Sequence, residues 1–165
     1  MIMTANRAQR RILPLLCGTL LCAALPAVAS AGVTVKFSDV SGYGDRQAQE
    51  PSTLDEFSRL LQRLGQRLPA GQDLAIDVLD VRLAGMVDPF WPAGSEVRVL
   101  RATTPPRFVL RYVLSQKGRR LRADTVTLTD INYQMNPSAR LASGRFPYEK
   151  ALLSDWFKSQ FSAPR

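Results

Sequence analysis

RFVLRYVLSQKGRRLRADTVTLT, residues 107–129, decides the fold. Between Arg107 and Ser115 the side chains alternate. Phe108, Leu110, Tyr112 and Leu114 fall on one face, and Arg107, Val109, Arg111 and Val113 on the other, which is the period of a strand. Lys117-Gly118 suits a tight hairpin turn, so Leu121–Thr129 reads as the returning strand. A hairpin with so apolar a face needs a covering layer.

Upstream, Val33–Phe37 alternates as a short strand, and Ser41-Gly42-Tyr43-Gly44-Asp45 reads as a loop. Its Gly-x-Gly lacks a third glycine and a helix start behind it, so it is a turn rather than a phosphate cradle. Pro51-Ser52-Thr53 opens a helix, with Thr53 and Glu56 spaced as a capping box. Leu54, Phe57, Leu60, Leu61, Leu64 and Leu68 form its apolar stripe, and Pro69 and Gly71 end it. Leu74–Leu83 carries Leu74, Ile76 and Val78 on one face and then Leu79, Val81 and Leu83 on the other. That phase change implies a bulge, or a central strand covered on both faces. Glu96–Arg101 is a further strand.

FPYEKALLSDWF, residues 146–157, closes the pattern as a helix. Tyr148, Leu152, Leu153, Trp156 and Phe157 sweep about half of its circumference, wide enough to lie across a sheet. Pro147 and Glu149 suit its first turn. Asp155 falls inside the apolar arc and is expected to pair with a strand arginine, Arg111 or Arg122, as a structural ion pair. The order of elements gives an α+β fold. We expect a two-layer sandwich, with a mainly antiparallel sheet of about five strands and two helices on one face.

The first residues belong to a different layout. Arg7, Arg10 and Arg11 form a basic start, Ile12–Leu25 an apolar run, and Ala27-Val28-Ala29 and Ala29-Ser30-Ala31 two small-residue cleavage motifs. We read residues 1–31 as a signal peptide for general secretion and residues 32–165 as a single domain, with no transmembrane segment in the mature chain. The expected location is the periplasm. Removing those three arginines lowers the formal charge from +8 to +5.

Both cysteines, Cys17 and Cys22, precede the cut, and the sequence contains no histidine. Nucleophile systems built on Ser-His-Asp or Cys-His therefore cannot be assembled in the mature chain, nor can redox thiols. A zinc site would need carboxylates alone, which suit that ion badly. No metal and no cofactor are expected.

Three features are candidate binding sites. Arg98, Arg107 and Arg111 would stand on the sheet face away from the helices, where their guanidinium forks could hold a phosphate or carboxylate; the competing reading is a solvated outer face. Phe90 and Trp91, flanked by Pro89 and Pro92, could anchor a partner protein or a sugar ring. Asp130, Asn132 and Tyr133 form a polar turn.

The strings LAG (83–85), EVRVLR (96–101), LTDINYQM (128–135) and YEKALLSDWF (148–157) resemble the bacterial family called domain of unknown function 3016. The resemblance spans nearly the whole mature chain and implies a small exported protein of Gram-negative bacteria. It implies no activity, cofactor or catalytic residue.

The leading functional expectation is a non-catalytic binding or accessory module, with an envelope protein or an anionic ligand as partner. The first alternative is a carboxylate-dependent hydrolase of envelope glycans, with acids drawn from Asp88, Asp124, Asp130, Glu149 and Asp155. The second is a binder of anionic lipid or another polyanion. Nucleic acid is not expected, since there is no dense basic run.

Overall fold

The computed structural model describes residues 32–88, 97–142 and 144–161. The expected signal segment lies outside the described residues, as do Phe90 and Trp91. The elements are β1 (Gly32–Phe37), α1 (Pro51–Gly65), β2 (Gln72–Arg82), β3 (Met86–Val87), β4 (Arg98–Val99), β5 (Arg107–Gln116), β6 (Arg119–Thr129), α2 (Pro137–Leu141) and α3 (Pro147–Phe161).

Four strands form one sheet in the order β1-β2-β5-β6, and β3 and β4 form a separate two-stranded ribbon. β2, β5 and β6 are antiparallel neighbours, while β1 lies parallel to β2. A parallel neighbour needs a crossover, and α1 supplies it. The α+β expectation holds. The hairpin turns at Lys117 and Gly118, whose φ values of 49° and 76° match a primed turn.

The phase change in β2 is a bulge. The register with β5 slips between Val78 and Asp80, so that Val78 and Val81 both point into the core. Of the strand expected at 96–101, Arg98–Val99 forms among the described residues, and there it pairs with β3 alone. Gly85 causes this: its φ of 78° turns the chain out of the sheet at the end of β2. A Cβ there would lie 2.5 Å from the Val99 carbonyl oxygen, so only glycine permits the close approach.

Both long helices cover the same face. Phe57, Leu61 and Leu64 of α1 and Leu153, Trp156, Phe157 and Phe161 of α3 join Leu74, Ile76, Val78, Phe108, Leu110 and Tyr112 in one core. Gly65 lets α1 settle on β1, because a methyl group there would collide with Val33. Glu56 of α1 pairs with Lys150 of α3 at 2.5 Å. The expected capping box does not form. α1 already begins at Pro51, which places Thr53 inside the helix as a fully buried residue.

α3 is a core helix, as its arc of apolar residues implied. Trp156 packs edge-on against Tyr112 at 5.8 Å and Phe161 at 5.4 Å, and Phe157 is buried beside them. Leu152 and Tyr148 are half-buried, and Tyr148 meets the Tyr133 ring edge-on at 4.9 Å. Asp155 does not reach Arg111 or Arg122. It lies at the rim, 3.6 Å from Lys158, and accepts from Asn136 Nδ2 at 3.4 Å. A half-exposed carboxylate one turn from a lysine needs no strand partner.

Candidate functional site: an arginine-lined cleft

The end of β2 meets the loop after β1 and the β3–β4 ribbon around a cleft of about 650 Å³. Gly44, Asp45 and Arg46 form one wall, Arg82, Leu83 and Gly85 the next, and Met86, Val87 and Arg98 of the ribbon a third. Thr103, Thr104, Pro105, Arg107 and Thr129 complete the lining. Local sequence explains each wall. The Tyr43 hydroxyl donates to the Val78 carbonyl at 2.8 Å and fixes the loop, and burial together with the nearby Asp77 carboxylate pushes its pKa up to about 12. Asp45 Oδ1 accepts the Gln47 backbone N–H at 3.1 Å, which shapes the turn carrying Arg46. The Gly85 N–H donates to Thr104 O at 2.9 Å, and Thr104 N–H to Arg101 O at 2.9 Å.

Arg98 is the hub. One of its terminal nitrogens reaches both Asp45 oxygens at 2.9 Å, and Nε donates to Gln47 Oε1 at 3.2 Å. The other terminal nitrogen donates to the Ala84 and Gly85 carbonyls at 3.4 and 3.1 Å. Its side chain is 18% exposed and that of Asp45 14%, so the pair is largely withdrawn from water. Ala84 is held from the other side as well: its N–H donates to Glu149 Oε1 at 2.6 Å. Glu149 is buried, and burial raises its pKa, opposed by the Ala84 N–H, by its own backbone N–H and by the charge of Arg98.

The three arginines singled out from sequence do not share one surface. Arg98 is on the ribbon and lines the cleft. Arg107, at the start of β5, lines it too and pairs with Asp80 at 2.9 Å. Arg111 stands on the outer sheet face, 59% exposed and 4.0 Å from Asp77. That outer face therefore alternates acid and base. Asp45, Arg46 and Arg82 escaped notice because nothing in their local pattern separates them from other loop and strand-end charges.

The candidate acids are scattered. Asn136 Nδ2 draws Asp130 and Asp155 together, at 3.2 and 3.4 Å, yet neither lines the cleft. Asp124 lies on the exposed strand β6, where it accepts the Thr125 N–H at 2.8 Å. A second depression, of about 660 Å³, lies between α1 and α3 and is lined by Leu60, Arg63, Leu64, Gln66, Arg67, Ser154 and Lys158. Among the described residues, no group of three or more Asp and Glu side chains is placed to hold a metal ion, and no helix is long and apolar enough to cross a membrane.

Residues 31–159 match the sequence model of a family described as "Protein of unknown function (DUF3016)". No curated protein and no solved structure matches the chain.

Proposed function

We propose that this chain, which belongs to the DUF3016 family of proteins of unknown function, is an exported periplasmic binding module that engages an envelope partner through the arginine-lined cleft. Export rests on the basic, apolar and small-residue order of residues 1–31. The observation that carries the binding role is the cleft itself: about 650 Å³, lined by Arg46, Arg82, Arg98 and Arg107, with Asp45 as the one acidic side chain of the lining among the described residues. The module acts by contact rather than turnover. Among the described residues, three carboxylates close to the cleft hold its walls: Asp45 on Arg98, Asp80 on Arg107 and Glu149 on Ala84.

The test is site-specific photo-crosslinking in intact cells. A photoreactive residue at Thr103, in the cleft, is expected to capture an envelope component, whereas one at Arg111, on the outer sheet face, is not. Adducts from position 111 alone, or equal adducts from both, would contradict the reading.

A further inference from the structure

We propose that the cleft receives a dianionic phosphate group, and that Arg46 and Arg82 are the side chains that hold it. The inference rests on the reading of the cleft as the binding site. Four guanidinium groups line it. Two carboxylates answer them: Asp45 on Arg98 at 2.9 Å and Asp80 on Arg107 at 2.9 Å. Among the described residues, Arg46 and Arg82 are the two lining guanidinium groups with no hydrogen-bonded carboxylate.

The geometry assigns those charges to named side chains. Arg98 has donors committed to Asp45, Gln47 and two carbonyls, so it is a structural strut. Arg107 spends its closest contact on Asp80. Arg82 lies 3.8 Å from Asp80, beyond hydrogen-bond reach, and is 59% exposed. Arg46 is exposed, and its guanidinium has no carboxylate within ion-pairing distance among the described residues. Gly44 brings the two together. The Cβ it lacks would sit 3.3 Å from Arg82 Nε, so the guanidinium rests against the loop that carries Arg46 two residues on. Two forks on adjoining walls, each a fixed positive charge able to grip two oxygens, match the geometry and charge of a phosphomonoester.

The experiment is calorimetric titration of the purified mature protein at low ionic strength with inorganic phosphate, glycerol 3-phosphate, sulfate and acetate. Phosphate binding is expected to weaken roughly tenfold between about pH 8 and about pH 5, as the dianion takes up a proton around pH 6 to 7. Sulfate remains a dianion and should bind alike at both, which separates titration of the ligand from titration of the protein. Acetate should bind far more weakly. Arg46→Ala and Arg82→Ala should each weaken phosphate roughly fivefold or more, and Arg46→Gln and Arg82→Gln likewise, while Arg111→Ala changes nothing. Vesicles containing phosphatidic acid distinguish the source. Vesicle binding lost in the double Arg46→Ala, Arg82→Ala variant indicates a lipid-borne phosphate, and glycerol 3-phosphate binding with inert vesicles indicates a soluble one. Acetate binding equal to phosphate, or unchanged binding in the Arg46 and Arg82 variants, overturns the inference. If no anion binds while the Thr103 crosslink persists, the phosphate assignment falls and the cleft reading stands. If the crosslink is absent too, both fall.

Discussion

Glu149 of α3 accepts the backbone N–H of Ala84 at 2.6 Å, 65 residues away in sequence. The bond joins the helix layer to the corner where β2 leaves the sheet. On the far side of that corner the Ala84 and Gly85 carbonyls accept from Arg98, which in turn grips Asp45. Core helix, strand end, ribbon and loop are thus fastened through one backbone corner. The cleft keeps its shape because its walls are tied to the core.

Glu149 makes stability depend on pH in a defined direction. Its folded pKa is raised above 4.5 by burial, so between the unfolded and folded values the native state binds more protons than the unfolded chain. Its stabilising contribution is complete below the unfolded pKa and is lost as pH rises through the folded one. Glu149→Gln should therefore gain on the wild type as pH rises from the unfolded to the folded pKa, with the two curves parallel above that window. Glu149→Leu should cost about 1 to 3 kcal/mol, because Ala84 N–H loses its acceptor. Denaturant midpoints across the pH range measure both.

Arg98 is expected to matter more for folding than an ordinary surface arginine. Arg98→Ala leaves a largely buried Asp45 without its partner and should cost about 2 to 4 kcal/mol. Arg98→Lys should recover only part of this, since an ammonium cannot serve a carboxylate, an amide and two carbonyls as a planar fork does. Arg111→Ala, at an exposed pair separated by 4.0 Å, should change stability by less than about 0.5 kcal/mol. Equilibrium unfolding of the three variants gives the comparison.

Trp156→Ala should cost about 3 to 5 kcal/mol, since it empties a site walled by Tyr112, Phe157 and Phe161. The indole N–H has no hydrogen-bond partner among the described residues, so Trp156→Phe should lose considerably less. Thermal unfolding followed by near-ultraviolet circular dichroism will read both changes.

Asn136 does two jobs. Its Oδ1 accepts the Ser138 N–H at 2.9 Å at the start of α2, and its Nδ2 donates to Asp130 and Asp155. Asn136→Ala should cost about 1 to 2 kcal/mol through the lost cap. Asn136→Asp keeps the cap acceptor but sets a third carboxylate beside two others, so it should destabilise at neutral pH and recover as acid neutralises the group.

Local periodicity made the layers legible before any contact was known. The alternation of Phe108, Leu110 and Tyr112, the stripe from Phe57 to Leu64 and the arc through Trp156 each reflect which face must leave water, and that is written within one element. The β2 bulge was visible for the same reason, as a break in alternation at Leu79. The cleft was not, because its bonds span the chain: Arg98 to Asp45 is a separation of 53 residues. Arg98 was expected on a sheet face, since a six-residue alternation at 96–101 reads as a full strand until Gly85 turns the chain aside; Arg107 does stand on the outer face of β5, and reaches the cleft because it begins that strand. Glu149 read as a helix-end charge because its true acceptor role depends on a backbone group in another layer. Thr53 and Glu56 met the spacing of a capping box, but Pro51 starts the helix earlier and Lys150 takes Glu56.

The most direct test of the cleft as the working surface uses the two cysteines, both of which precede the expected cut. Thr103→Cys then carries the mature chain's only thiol, inside the cleft, and Arg111→Cys carries it on the outer sheet face. Maleimide labelling rates are compared between the purified protein and intact cells. Occupied clefts should slow labelling at position 103 in cells relative to the purified protein, while position 111 keeps its relative rate. Labelling at 103 that is as fast in cells as in solution, or protection confined to 111, would contradict the account.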